Sequence, residues 1–387
     1  MMAAPTGVIR RSALPLVAVV LVAALVAVLY SLPGTSTPRS VTAPLHAANA
    51  TPGAAPSEGL VPPRIFGSRP VQLVQASNSK TTCIYAHSWS QLKQAEQATG
   101  IDYQCIETFS NADPAWSDWV NPWVTQRPYG FAEWLAADPT RRTIVITQNL
   151  VPDDVATTPD WRALGASGAY NRYARELART LVRTGFGYSV VRLGAEMNGP
   201  WETDWVGNGI TNQREWARYF AQIVRTMRSV KGAHFLFDWN VNAAYEDIPL
   251  ANYYPGNRYV DIVGADAYDE APIPLPPVGS PSRWPTLVSQ PVGLDSIYAF
   301  AARHHKPLSV PEWATLAQSG DDGQYVTRMG QFILTHDVAY QSWFDNGDNG
   351  ISPLDAAVAP RSLAAYVAYF GPRSRIARFQ RSYYSSG

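Results

Sequence analysis

The chain of 387 residues has only two cysteines and six histidines, and neither set has the spacing of a metal site. Two cysteines are too few for a disulfide scaffold. The histidines show no HxH or HExxH pattern of the kind with which zinc hydrolases bind their metal. We therefore expect neither a metal nor another cofactor.

An excess of positive charge is also lacking, because 31 basic side chains balance 31 acidic ones. Nucleic-acid-binding proteins carry a basic patch or stripe, and no stretch of this chain concentrates Lys and Arg. Nucleic acid is therefore not an expected partner. Aromatic residues are plentiful instead, with 13 Trp and 20 Tyr. Their flat faces suit stacking on sugar rings, although a well-filled core explains many of them equally well.

The N-terminal segment predicts export. Arg10 and Arg11 precede an almost uninterrupted apolar run from Ala13 to Leu32, which is long enough to span a bilayer. The two arginines favour a cytoplasmic N-terminus. We interpret residues 1–33 as a signal-anchor that attaches the protein to the membrane. The alternative is a cleaved signal peptide with its cleavage site near 46–50. Both interpretations predict an extracytoplasmic, membrane-anchored or secreted protein, which we expect to be a monomer.

The rest of the chain divides by composition. Residues 34–63 are rich in Pro, Ala, Ser and Thr and cannot bury enough apolar surface to fold, which predicts a disordered linker. The folded domain is expected over 64–373, with a C-terminal tail over 374–387. In an exported protein Cys83 and Cys105 can form a single disulfide bridge, and two buried thiols are the alternative.

Within the folded domain, short apolar runs alternate with segments of helical spacing. Eight such runs predict strands: Thr82–Ala86, Tyr103–Thr108, Thr143–Thr147, Ser189–Leu193, His234–Trp239, Asp261–Ala265, Pro307–Val310 and Ala339–Trp343. Eight strand–helix repeats indicate an α/β protein with the (β/α)8 TIM-barrel fold. An open doubly wound sheet is the alternative, but the first strand is not followed by a Gly-rich phosphate loop.

Barrel enzymes carry their active sites at the carboxyl ends of the strands. Glu196 follows the fourth predicted strand and Glu312 follows the seventh, each close to a Trp. Glycosidic cleavage needs two such carboxyl groups, one as a proton donor and one as an opposing carboxylate. Either glutamate alone would be weak evidence, since strand-end glutamates often only solvate a loop.

The stretch Arg192–Trp201 resembles the strand-four signature of glycoside hydrolase family 26, Glu-Met-Asn-Gly-x-Trp preceded by Arg. The resemblance implies that Glu196 is the acid/base and Glu312 the nucleophile of a retaining glycosidase. It also implies a set of substrate-contacting or orienting residues: Trp201 and Trp205 as sugar platforms, Tyr268 beside the nucleophile, Trp343 as the floor of the cleft, and Asn198 and Arg192 from the motif itself. For Arg192, a structural salt bridge under the site is the alternative.

One position departs from the family pattern. The family has His before the acid/base, where this chain has Ala195, so a hydrogen bond to the sugar is missing. Such bonds can contribute several kcal/mol in the transition state. His87, at the end of the first strand, is a conceivable substitute, and a histidine paired within the core is the alternative. Of the other strand-end acids, Asp266 is the one that we expect to reach the sugar.

The reaction sets physical requirements for the pair. Glu196 must be protonated near neutral pH, which requires burial or a nearby carboxylate. Glu312 must stay ionised, which requires a donor such as Tyr268 or a cation such as Arg192. A retaining mechanism places the two carboxyl groups about 5–5.5 Å apart.

Three functions compete at this stage. The first is hydrolysis of a β-linked polysaccharide, with a mannan-type substrate favoured by the family resemblance. The second is a non-catalytic carbohydrate-binding barrel, which the loss of the histidine at position 195 motivates. The third is a barrel hydrolase that acts on something other than sugars, for which the sequence has neither a metal cluster nor a Ser-His-Asp arrangement.

Overall fold

Eight parallel strands pair in chain order, and the eighth closes against the first to make a barrel. The strands are β1 (Thr81–Tyr85), β2 (Cys105–Phe109), β3 (Thr143–Gln148), β4 (Val190–Leu193), β5 (Leu236–Asn242), β6 (Ile262–Asp266), β7 (Leu308–Trp313) and β8 (Val338–Trp343). All eight overlap the apolar runs in the sequence. The predicted barrel is therefore confirmed, and the doubly wound alternative is wrong.

The structure is a computed structural model that describes residues 73–110, 114–126, 130–245, 248–271, 273–345 and 351–385. The predicted anchor (1–33), the predicted linker (34–63) and the predicted start of the folded domain at residue 64 lie outside the described residues. Within the described part of the chain, no helix is both long and apolar enough to cross a bilayer.

Helices connect the strands and cover the outside of the barrel. They are α1 (Trp89–Thr99), α2 (Trp116–Trp119), α3 (Ala132–Ala137), α4 (Asp153–Ala156), α5 (Trp161–Ser167), α6 (Asn171–Arg183), α7 (Gly209–Arg228), α8 (Arg283–Val288), α9 (Leu294–Arg303), α10 (Gly323–Thr335), α11 (Pro360–Phe370) and α12 (Arg375–Ser385). Among the described residues between β5 and β6, the one helical element is the short 3-10 turn Leu250–Asn252, which agrees with the short helix expected around 249–253.

The barrel interior is apolar near the amino ends of the strands and polar near their carboxyl ends. The lower layer packs a small cluster of buried residues: Val74, Cys83, Cys105, Val145, Val190, Ile262, Ala339 and Tyr340. Cys83 and Cys105 face each other on β1 and β2, with their Cα atoms 4.4 Å apart and their sulfur atoms joined in a disulfide. The charged and amide side chains above this layer form the candidate site.

The segment that the sequence places in a tail contains α12, which packs against the start of β1. The Tyr384 hydroxyl lies 2.7 Å from Thr81 Oγ1, and the Gln380 amide donates to Thr82 Oγ1 at 3.1 Å. Ile376 of the same helix is fully buried. Residues 375–385 are therefore part of the barrel domain.

This packing makes α12 a contributor to stability. We expect Ile376→Ala to lower the free energy of unfolding by about 2–5 kcal/mol, as for other buried Ile-to-Ala changes. Arg378→Ala, an exposed position of the same helix, should change it by less than about 0.5 kcal/mol. Urea unfolding of the two variants measures the difference, and equal stability of both would contradict the docking of α12.

Candidate active site

Glu196 lies just beyond β4, in a turn that forces an unusual backbone conformation. Its φ is +44°, in the left-handed region that non-glycine residues rarely occupy. The turn is held by two hydrogen bonds, from the Glu196 N–H to Asn240 Oδ1 (3.1 Å) and from the Gly199 N–H to the Glu196 carbonyl (2.7 Å). Such strain costs about 1–3 kcal/mol and is concentrated at functional sites.

Glu312 reaches the interior through a bulge in β7. Val310 pairs with Gln341 and Trp313 pairs with Trp343, so three steps along β7 match two steps along β8. Because side chains alternate between the faces of a strand, the extra residue reverses the pattern beyond Val310. The bulge directs Glu312 into the barrel mouth and Trp313 towards the helices.

The carboxyl group of Glu312 has the two contacts that the sequence predicts. Arg192 Nη1 donates to its Oε1, and the Tyr268 hydroxyl donates to its Oε2 at 2.8 Å. The Glu312 N–H also donates to Asp266 Oδ1 at 3.0 Å. A guanidinium and a phenol both stabilise the ionised form of a carboxyl group, which is the form that a nucleophile needs.

Arg192 is fully buried and is the hub of this network. Its Nη2 donates to Asp266 Oδ2 and to Asn240 Oδ1 (2.7 Å), and its Nη1 donates to Thr147 Oγ1 (3.1 Å) as well as to Glu312. The carboxyl of Glu107 is also within 3.4 Å. One guanidinium therefore faces three carboxyl groups. Burying that many charges is costly unless some of the acids keep their protons.

Two of the acidic residues around Arg192 have raised pKa values. Burial raises the pKa of Glu107 to about 8, and the neighbouring Glu312 adds to the rise while Arg192 opposes it. Burial likewise raises the pKa of Asp266 well above its usual value, again against the charge of Arg192. Burial therefore favours the protonated form of both Glu107 and Asp266.

The carboxyl of Glu196 is held by two donors without charge. Trp201 Nε1 donates to Oε2 at 2.6 Å, and Asn242 Nδ2 donates to Oε1 at 2.7 Å. Burial and the carboxylate of Glu312 raise the pKa of Glu196 to about 7, although these two hydrogen bonds and Arg192 oppose the rise. The Glu196 carboxyl thus accepts from two neutral donors and has a raised pKa, whereas the Glu312 carboxyl accepts from the guanidinium of Arg192.

The two glutamates are close together. Glu196, Glu312 and Asp266 each place a carboxylate oxygen within 4.8 Å of the others. Three clustered carboxylates resemble a cation site, but the guanidinium of Arg192 already donates to two of them. Arg192 therefore supplies the positive charge that a bound cation would otherwise have to supply to this cluster.

Several residues that the sequence assigns to substrate contact are instead supports. Arg192, Asn198 and Asp266 have no exposed surface, so none of them can touch a sugar in this conformation. Asp266 had been expected to reach the sugar, but it is the last residue of β6 and both its oxygens accept bonds from inside the barrel. Tyr268, two residues later, is the part-exposed residue of this strand end.

The expected role of Trp343 as the cleft floor is wrong. Its ring is fully buried and packs against Trp313 (4.9 Å between ring centroids) and against Tyr366 of α11 (5.5 Å). Alternation along β8 points Trp343 to the helices and the next residue, Phe344, to the barrel mouth. Phe344 lies 6.4 Å from the Tyr268 ring, centroid to centroid.

Two other predicted residues form no hydrogen bond with Glu196 or Glu312 within the described part of the chain. His87 is exposed at the end of β1, where its ring is 6.0 Å from that of Tyr85, and it has no contact with Glu196 or Glu312. It is therefore not paired within the core. Trp205 is half-buried, and its carbonyl accepts a bond from Arg162.

Asn240 and Asn242 are functional residues that the sequence interpretation misses, and a signal for them exists. Along β5 every second residue is polar: Asp238, Asn240 and Asn242. Alternate residues of a strand share a face, so this spacing predicts a polar stripe on one side of β5. In a barrel whose lower interior is apolar, such a stripe marks the side chains that serve the site.

Comparison with known proteins gives a family match over the segment that contains Glu196. Residues 184–274, which run from before β4 to just past β6, match the family model described as Glycosyl hydrolase family 26. No curated protein matches the chain significantly.

Solved structures of mannanases share the fold. A modular endo-β-1,4-mannanase from Cellulomonas fimi aligns with a TM-score of 0.56 and 18% identity, covering 76% of this chain and 72% of that one. A mannanase from Bacillus subtilis gives 0.52 and 15%, covering 78% and 88%. The catalytic domain of a family 26 endo-β-1,4-mannanase from Bacillus sp. JAMB-750 gives 0.51 and 18%, covering 80% and 92%. At these identities, the likeness establishes the fold alone.

The resemblance to glycoside hydrolase family 26 is confirmed over residues 184–274, which are less than half of the chain and contain Glu196 at the mouth of the barrel.

The raised pKa of Glu107 has a consequence for stability that can be measured. The group titrates near 4.5 when unperturbed and at about 8 in the folded protein, so the wild type loses stability as the pH rises from about 5 to about 8. Glu107→Gln keeps the shape of the protonated acid without the proton. We expect its stability relative to the wild type to increase over this pH range.

The measurement is urea unfolding of both proteins at pH 5, 6, 7 and 8 with the disulfide intact. A stability difference that does not change with pH would mean that Glu107 is ionised in the folded protein.

Proposed function

We propose that the protein is a retaining glycoside hydrolase that cleaves a β-linked polysaccharide, with Glu196 as acid/base and Glu312 as nucleophile. The observation that carries the proposal is the pairing of the two carboxyl groups. They approach within 4.8 Å, burial raises the pKa of Glu196 to about 7, and Glu312 accepts hydrogen bonds from Arg192 and Tyr268. The short separation suits the retaining mechanism, in which no water has to fit between the two groups.

The reaction would proceed in two steps. In the first, the Glu312 carboxylate attacks the anomeric carbon as the glycosidic bond breaks, and Glu196 gives its proton to the departing oxygen. In the second, the ionised Glu196 takes a proton from a water molecule, which attacks the anomeric carbon and releases Glu312. Tyr268 and Arg192 hold the nucleophile in place throughout.

We favour a mannan-type substrate. Support comes from the family match and from the structural neighbours, two of which are described as endo-β-1,4-mannanases. Ala195 weakens this choice, because the side chain that would meet the sugar beside the acid/base is absent. A panel of β-mannans, β-glucans, xylans and arabinans, assayed for reducing ends, would identify the substrate.

We also propose that the enzyme acts outside the cytoplasm. The apolar run at 13–32 and the disulfide between Cys83 and Cys105 support this, since structural disulfides persist in oxidising compartments. Attachment to the membrane and the monomeric state remain predictions from the sequence.

Removal of either glutamate should abolish turnover. On the substrate identified by the panel, we expect Glu312→Ala to lower kcat by roughly 10⁴-fold or more, because the substitution removes the carboxylate that forms the covalent intermediate. Glu196→Ala should lower it by about 10²–10⁴-fold. Glu133→Ala, an exposed glutamate of α3, serves as the matched control and should keep full activity.

NMR of the first product should show the retained anomer. Binding of a β-glycan without turnover by the wild type would instead favour the non-catalytic carbohydrate-binding barrel, and an inverted product would exclude double displacement.

The pH profile follows from Glu196. The group must be protonated to act as an acid, and its pKa is about 7, so kcat/KM should fall as the pH rises through about 7. A profile of kcat/KM between pH 4 and 9 tests this expectation. A kcat/KM that stays constant from pH 6 up to pH 9 would indicate a different acid.

A further inference from the structure

The carboxyl end of β5 extends beyond that of its neighbour β4. β4 ends at Leu193, whereas β5 continues to Asn242, so the last backbone groups of β5 have no strand partner on that side. The side chain of Asn198 takes the place of the missing strand partner. The Asn242 N–H donates to Asn198 Oδ1 (2.8 Å), and Asn198 Nδ2 donates to the Asn242 carbonyl (3.0 Å).

The buried side chain of Asn198 therefore extends the hydrogen-bond pattern between β4 and β5 by one further pair of bonds. Asn198 Nδ2 also donates to the Tyr245 carbonyl at 2.8 Å, which fixes the turn that follows β5. A primary amide can do this because it carries both a donor and an acceptor, like a peptide group. The backbone of Asn242 is held in a single position as a result.

From that position the Asn242 side chain contacts the acid/base. Its Nδ2 lies 2.7 Å from Glu196 Oε1, while Trp201 Nε1 binds Oε2 from the other side. The edge of Trp201 in turn packs against Tyr245, with 4.2 Å between ring centroids. Both ends of the Glu196 carboxyl are thus fixed by groups that Asn198 orders directly or through Tyr245.

We propose that Asn242, locked in place by the side-chain amide of Asn198, is a positioning residue that holds the Glu196 carboxyl in the orientation for proton transfer. The inference rests on the proposed function of Glu196 and assigns Asn242 a part in that reaction.

The chemistry of the contact also gives it an electrostatic effect. An amide N–H can only donate, so its bond is stronger to the ionised carboxylate than to the acid and lowers the pKa of Glu196. Loss of the donor should raise that pKa. Glu196 is also exposed to the fields of the other ionisable groups that face it: Glu312, Asp266, Glu202, Tyr268 and Arg192. None of these is changed by a substitution at Asn242.

Two substitutions at Asn242 separate its positioning effect from its electrostatic effect on Glu196. Asn242→Ala removes the donor and frees the Glu196 carboxyl. Asn242→Asp keeps the shape of the side chain but replaces the donor with another acid next to Glu196, which should raise the pKa further. Asn198→Ala leaves Asn242 in the chain but removes its support, and Asn208→Ala, at an exposed position before α7, is the control. Thermal unfolding shows whether each variant is folded.

The kinetic test uses aryl glycosides of the sugar that the wild type hydrolyses, with leaving groups of different acidity. A weakly acidic leaving group needs a proton from Glu196, whereas dinitrophenolate departs without one. We expect Asn242→Ala to lower kcat/KM about 10-fold or more for the poor leaving group, a part of the usual contribution of acid catalysis, and less than about 3-fold for dinitrophenol. Asn198→Ala should show the same pattern more weakly.

The second readout is the pKa itself. The alkaline limb of the kcat/KM profile should move to higher pH in Asn242→Ala and further in Asn242→Asp. An equal loss for all leaving groups with an unmoved alkaline limb would assign Asn242 a purely structural role and overturn the proposal.

A titration without substrate tests the contact between Asn242 and Glu196 separately from the proposed catalytic function. The carboxyl carbon of Glu196 can be followed by ¹³C NMR and assigned with Glu196→Gln. We expect its titration in the wild type near pH 7 and at higher pH in Asn242→Ala. An upward shift in Asn242→Ala, combined with a wild type that hydrolyses no glycoside, would sink the proposed function while leaving the Asn242 contact intact. An unchanged titration in an active enzyme would sink the role of Asn242.

Discussion

The guanidinium of Arg192 lies at the centre of the polar layer, and the positions of both glutamates depend on it. A buried cation is tolerated only where hydrogen bonds and opposite charges replace its water. Arg192 finds these in Glu312, Asp266, Thr147 and Asn240. A lysine could offer only a point charge, whereas the planar fork of arginine reaches partners on several strands at once.

Asn240 extends this influence to Glu196. Its Oδ1 accepts from Arg192 Nη2 and also from the Glu196 N–H. One amide oxygen thus links the guanidinium that binds Glu312 to the backbone of Glu196. The distance between the two carboxyl groups is therefore set by a continuous path of hydrogen bonds through the barrel, and not only by the loops that carry them.

The site also depends on two departures from regular structure. Glu196 has a left-handed backbone, and the bulge in β7 reverses the direction of Glu312. A regular β7 would point Glu312 into the helix layer, where Trp313 now packs. Each irregularity costs stability locally and is maintained by surrounding contacts. Strand ends next to active sites often carry bulges for this reason, because they re-aim a single side chain without moving the sheet.

These irregularities decide how much the sequence could predict. Eight apolar runs marked the strands, because buried parallel strands read as continuous hydrophobic stretches. The barrel rule then located Glu196 and Glu312 at strand ends. The orientation of Trp343 could not be derived, since it depends on a register that no local pattern encodes. The amide of Asn198 was likewise misread as a sugar contact, because its role follows from the unequal lengths of β4 and β5.

Ala195 shows that the geometry of Glu196 does not depend on its neighbour in the chain. The Glu196 carboxyl accepts from Trp201 and Asn242, and its N–H donates to Asn240, so none of these three hydrogen bonds involves the side chain at position 195. Ala195 itself is buried. The contacts that fix Glu196 are therefore complete without the histidine of the family pattern. The proposed reaction type rests on the pair of carboxyl groups and on the strands that hold them, and not on the residue at position 195.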